Sequence, residues 1–196
     1  MSDKEAPASS AIQDRGLSVI PETRGEVLRL LGFSEEEARH TLFPSADNLR
    51  RQCVGSEVFL RGIVEFSNIC LQDCLYCGLR RSNTALPRYR MTDGEILSAT
   101  GRIHAEGIGT VVLQSGEDGF FTRERLCSLV SRIKEHNGLA VTLSVGERSR
   151  DDYRAFRDAG ADRYLLKFET SSATLYSRLR PGRRLSERLR CLADLR

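Results

Sequence analysis

Histidine is scarce in this chain: there are only His40, His104 and His136, and none stands near the run of cysteines at residues 70–77. A mixed Cys/His zinc site therefore has little to draw on. No apolar stretch is long enough for a signal peptide or a membrane span, so the chain is expected to be cytoplasmic, with no membrane partner. No Gly-x-Gly-x-x-Gly follows the first strand pattern, and the dinucleotide fingerprint is missing with it. Neither sign of charge dominates. Thirty basic and twenty-seven acidic residues leave +3, and their interspersion gives no nucleic-acid footprint. The local group Arg80, Arg81, Arg88 and Arg90 reads as a solvated or anion-facing loop. With 196 residues, 40% hydrophobic and 29% charged, the chain is expected to form one main globular domain.

What is present is concentrated in Cys70-Leu71-Gln72-Asp73-Cys74-Leu75-Tyr76-Cys77. Three thiols on one loop suit an iron–sulfur cube, because thiolate is the soft ligand that iron prefers in such clusters. A [4Fe–4S] cube takes four protein thiolates when fully ligated, and this run supplies three. One iron is left open, and an open redox-active iron can bind a small molecule and reduce it. Two plainer readings stand beside this one. Zinc sites usually close with four ligands, and three cysteines within eight residues cannot all pair as disulfides. Cys53, Cys127 and Cys191 each stand alone in an apolar helical pattern and read as small buried hydrophobes.

Residues 1–25 read as a disordered tail, 26–57 as a helical segment, and 58–196 as alternating strands and helices. Ser34-Glu35-Glu36-Glu37 and Thr92-Asp93-Gly94-Glu95 are capping boxes. Strands are predicted at Val58–Phe66, Thr110–Leu113, Ala140–Val145 and Arg163–Phe168, with helices opening at Thr92, Thr122 and Ser149. Leu185, Leu189 and Leu192 mark the stripe of a last helix. Such alternation implies a parallel sheet, either Rossmann-type or a (β/α) barrel. Polar groups follow every strand: the cysteines, then Gln114-Ser115-Gly116-Glu117, Gly146-Glu147, and Glu169-Thr170. In a barrel these loops share one rim. Only about four of eight βα units are visible, so an incomplete barrel with an open sheet edge is expected.

Cys-x3-Cys-x2-Cys with Tyr76 before the last cysteine, on the first βα loop, resembles the radical S-adenosylmethionine (SAM) enzymes. Further segments narrow the likeness. They are Glu65-Phe66-Ser67-Asn68, Cys77-Gly78-Leu79-Arg80-Arg81 with Asn83, Tyr89-Arg90-Met91-Thr92, Leu113-Gln114-Ser115-Gly116-Glu117-Asp118, and Ala159 through Leu166. From about residue 50 onward these resemble the E-component maturases of [FeFe]-hydrogenase.

The resemblance implies a TIM-type (β/α) barrel, a [4Fe–4S] cluster on Cys70, Cys74 and Cys77, and SAM chelated at the open iron. One electron then splits the sulfonium to methionine and a 5′-deoxyadenosyl radical. It further implies a cysteine-bound organometallic iron substrate, an electron donor such as a ferredoxin or flavodoxin, and other hydrogenase maturation proteins as partners. By the same resemblance Tyr76 lies against adenine. Ser115, Gly116 and Glu117 lie near the methionine ammonium, Glu169 accepts from the ribose hydroxyls, and Arg188 faces the methionine carboxylate. Phe168 stands where some relatives carry histidine.

Plainer roles remain open at this stage. Tyr76 suits a core, Glu117 and Glu147 suit helix N-termini, and Arg188 suits a solvated helix face; for Glu147 the structural role is preferred. A methylornithine-synthase-like or biotin-synthase-like enzyme shares the cluster loop. A metal-binding module without catalysis is the alternative of a different class.

Overall fold

A computed structural model describes residues 20–196, so the predicted tail lies outside the described residues up to residue 19. The chain divides between Phe59 and Leu60 into two compact units. In the first, α1 (Arg24–Leu31) is opened by Thr23 and Glu26 in a capping box. Ser34 and Glu37 do the same for the short α2 (Glu35–Glu37). A π-helical turn at Ala38–Leu42 leads into α3 (Phe43–Val54), which Gly55 ends at φ +84°. No residue of these helices is buried. Cys53 is therefore exposed, against the expectation of a buried one, because the helical stripe it belongs to has no core to face.

The second unit alternates strand and helix: β1 (Gly62–Ser67), α4 (Asp93–Ala105), β2 (Thr110–Ser115), α5 (Arg123–Asn137), β3 (Ala140–Ser144), α6 (Arg150–Asp158), β4 (Arg163–Tyr164), α7 (Ala173–Leu179) and α8 (Leu185–Asp194). The four strands pair in parallel with one another, in the order β1-β2-β3-β4. A doubly wound sheet reverses its strand order at a switch point, whereas a barrel adds each strand beside the last. The observed order is that of part of a TIM-type barrel. Local chemistry starts the helices where the sequence places them: Thr92 with Glu95 and Ser149 with Asp152 form capping boxes, and Thr122 caps α5. Gly138, at φ +62°, ends α5 in the left-handed conformation that glycine tolerates.

Register places Val64, Leu113, Leu143 and Tyr164 side by side on one sheet face. There they join Ile96, Leu126, Leu129, Ile133 and Phe156 in a continuous apolar core. Glu65, Gln114 and Ser144 share the opposite face.

Two strand boundaries and one helix face are corrected. β1 begins at Gly62 rather than Val58, and Val58, Phe59 and Leu60 are exposed. β4 ends at Tyr164 rather than Phe168: after Leu165 donates to the Leu143 carbonyl, the Lys167 carbonyl turns to Arg188 instead of a neighbouring strand. On α8 Leu189 points outward, and the buried positions are Arg188 and Cys191.

Candidate functional site

The loop after β1 carries the cysteines and has almost no regular structure, so its backbone groups need partners from elsewhere. Arg88 supplies several of them, donating to the carbonyls of Asn68, Leu79, Arg80 and Asn83 at 2.6–3.1 Å. Leu71 N–H donates to the Glu117 carbonyl at 3.0 Å and Leu75 N–H to the Leu179 carbonyl at 2.9 Å. Arg90 grips Asp118 with two bonds of 2.7 and 2.9 Å, and Ser67 Oγ donates to the same carboxylate at 2.7 Å. Burial alone would raise the Asp118 pKa, but these bonds and the Phe120 amide outweigh it and hold the carboxyl below its ordinary value. Arg88 thus ties the loop's own backbone together, and Arg90, still exposed to solvent, binds the Asp118 carboxylate.

β2 ends against this loop. A Cβ on Gly116 would lie 2.2 Å from the Ile69 carbonyl oxygen and 2.7 Å from Cys70 Cβ. The missing side chain therefore serves close approach to the cysteine loop. Gly146, at φ +81°, leaves room in the same way for Glu117, whose Cγ lies 2.0 Å from where its Cβ would stand.

One cavity of about 400 Å³ opens at the C-terminal ends of the strands. Around it stand Cys70, Cys74, Cys77 and Tyr76, together with Ser115, Gly116, Glu117, Glu169 and Arg188. All nine residues singled out in the sequence are brought together, from three separate loops and a helix. Glu65, Gln114 and Ser144 of the polar sheet face also line it, and Gln114 Nε2 donates to Glu65 Oε1 at 2.9 Å.

The sulfurs sit among donors. Backbone N–H groups of Gln72 and Glu117 each reach Cys70 Sγ at 3.4 Å, and Arg180 Nε reaches Cys74 Sγ at 3.3 Å. Burial pushes the Cys70 thiol up, so a metal that displaces its proton would suit it better than a free thiolate would. Among the described residues no three His, Cys, Asp or Glu side chains converge tightly enough to hold a single ion. A cluster of four irons takes one thiolate per iron and needs no such convergence. Soft donors, hydrogen bonds aimed at sulfur and a cavity beside them fit an iron–sulfur group.

Arg188 is buried, which removes the solvated-helix reading. It donates to the Lys167 carbonyl at 3.0 Å and pairs with Glu147 at 2.8 Å. Glu147, given a structural role from the sequence, is shared with Arg180 at 3.2 Å. Glu117 accepts from Gln72 Nε2 at 2.6 Å. Among the described residues Glu169 is the one non-glycine residue with positive φ, at +72°, a conformation costing about 1–2 kcal/mol for a side-chain-bearing residue. Tyr76 is half exposed, and burial, Cys74 and the neighbouring Glu169 raise its pKa. Phe168 is not among the cavity-lining residues and is about half exposed.

Arg180, Tyr176 and Gln72 were missed in the sequence. Arg180 is separated from Cys74 by 106 positions, and no local spacing signals such a pairing.

A family model described as the radical SAM superfamily matches residues 64–196. Over 174 residues the chain is 45% identical to the [FeFe] hydrogenase maturase subunit HydE of Thermotoga maritima, covering 89% of this chain and 50% of that protein. It is 30% identical over 169 residues to 3-methylornithine synthase of Methanosarcina barkeri, covering 85% of this chain and 48% of that one. The crystal structure of methylornithine synthase (PylB) superposes with a TM-score of 0.79 at 29% identity, over 88% of this chain and 52% of the other. The chain spans about half the length of the curated relatives it matches.

Proposed function

Because the chain belongs to the radical SAM superfamily, a family that implies a [4Fe–4S] cluster and SAM, we propose that it holds such a cluster on Cys70, Cys74 and Cys77 and binds SAM beside it. The observation that carries this reading is the meeting of all three cysteines with six further cofactor-type residues around one cavity. When bound, the reduced cluster supplies the electron that breaks the sulfonium C–S bond to methionine and a 5′-deoxyadenosyl radical.

The chain's own part is positioning. Tyr76 offers a flat ring to the adenine at little entropic cost. Glu169 accepts from the ribose hydroxyls, and its strained backbone is in keeping with a position fixed for function. Glu117, with Ser115 and Gly116, faces the methionine ammonium. Arg188, already oriented by Glu147 and the Lys167 carbonyl, presents a planar fork to the carboxylate.

The higher identity to the hydrogenase maturase than to methylornithine synthase favours hydrogenase maturation. On this reading the full activity is assembly of the [FeFe]-hydrogenase H-cluster from a cysteine-bound iron precursor. Electrons come from a ferredoxin- or flavodoxin-type donor, in the cytoplasm and beside other maturation proteins. Among the described residues no helix is long and apolar enough to cross a membrane.

Anaerobic reconstitution with iron and sulfide, then reduction with and without SAM, tests the proposal. The electron paramagnetic resonance (EPR) spectrum of the reduced cluster is expected to change when SAM is added, and 5′-deoxyadenosine measures cleavage. A cluster signal indifferent to SAM leaves only a metal-binding module.

A further inference from the structure

Arg180 is 3% exposed, a degree of burial that a charged side chain rarely reaches unless it is paired. Its guanidinium is used in several directions at once. Nε donates to Cys74 Sγ at 3.3 Å. Nη1 donates to Tyr176 Oη at 2.6 Å and to Glu147 Oε1 at 3.2 Å, and Nη2 to Glu117 Oε1 at 3.5 Å. The side chain thus joins one sulfur of the cysteine loop to the carboxylates that follow β2 and β3. Through Glu147 it also touches the pairing of Arg188.

We propose that Arg180 is a positioning residue for the cluster, one that fixes the Cys74 sulfur and raises the cluster's reduction potential. This rests on the cluster reading above. The reduced cluster carries one more negative charge than the oxidised one. A buried cation that donates a hydrogen bond to a ligand sulfur therefore stabilises the reduced state more, and low local polarity enlarges the difference. The planar fork matters as well as the charge: a point charge at the end of a lysine chain cannot serve sulfur, hydroxyl and carboxylates together. Losing the donor should lower the potential, making the cluster harder to reduce.

The test is an EPR-monitored redox titration of the reconstituted 196-residue chain and of its Arg180→Met and Arg180→Lys variants. Iron and acid-labile sulfide are measured for each, and circular dichroism checks the fold. Arg180→Met is expected to reduce at a lower potential than the parent chain, with Arg180→Lys in between. If folded Arg180→Met takes up no cluster, the fixing of Cys74 is supported and Arg180→Lys carries the potential measurement. A loaded variant of either kind that titrates together with the parent overturns the proposal. Failure of the parent chain itself to take up a cluster overturns the cluster reading, and this inference with it.

Discussion

The two faces of the four-stranded sheet are built from alternate residues of the same strands, and they obey different rules. Val64, Leu113 and Leu143 point to the helices and are almost wholly buried. Glu65, Gln114 and Ser144, one position along, point to the cavity. On the helix side any apolar side chain of the right volume contributes, since burial is non-directional. At the cavity rim each buried charge has a named partner, because an unpaired one would cost far more than a misfitting methyl group. The first face sets stability, and the second is where a change can abolish function while the fold survives.

The sharpest way to break this comparison is Cys74→Ser. It puts a hard oxygen where a soft ligand is needed, and a near-complete loss of bound iron and sulfide is expected with little change in thermal unfolding. Parallel losses of fold and metal would show that the two regions are not separable. On the helix side, Leu143→Ala deletes a fully buried side chain and should cost about 2–5 kcal/mol in denaturant unfolding, leaving cluster uptake intact wherever the chain is still folded.

Gly116→Ala lies on the seam. The new methyl would meet the Ile69 carbonyl oxygen at 2.2 Å, so a loss of about 1–3 kcal/mol from overpacking should be accompanied by weaker cluster uptake, seen as less iron per chain. The smallest effect concerns acid. Asp118 has its carboxyl depressed below its reference of 3.8 by Arg90 and Ser67 despite the burial that opposes this. Its contribution is complete above that reference and is lost as pH falls through the lower folded value. Unfolding followed from pH 5 downward should show a steeper acid decline in the parent chain than in Asp118→Asn.

Much of this was legible because it is local. Capping at Ser34 and Thr92 depends on residues three apart, and both boxes form where the sequence places them, while the helix expected at Ser149 opens there through a box with Asp152. The heptad-like spacing of Leu126, Leu129, Val130 and Ile133 becomes the buried face of α5 for the same reason. The misreadings involve longer range. β4 is two residues long, and beyond it the Lys167 carbonyl accepts from Arg188, 21 positions further on. Leu189 was placed inward from an apolar period, whereas the buried stripe of α8 includes an arginine, which hydrophobic patterning cannot register.

The sequence alone determined the chemistry on offer: three thiolates at a spacing a single loop can present, strands whose ends carry polar groups, and a recognisable family vocabulary around them. Only the tertiary structure decided that Arg180 would meet Cys74, that Glu147 would bind Arg188, and that Gly116 serves the packing of two loops. Short-range order follows from backbone geometry and neighbouring side chains, whereas these pairings exist only once four parallel strands have brought distant loops to one end of the sheet.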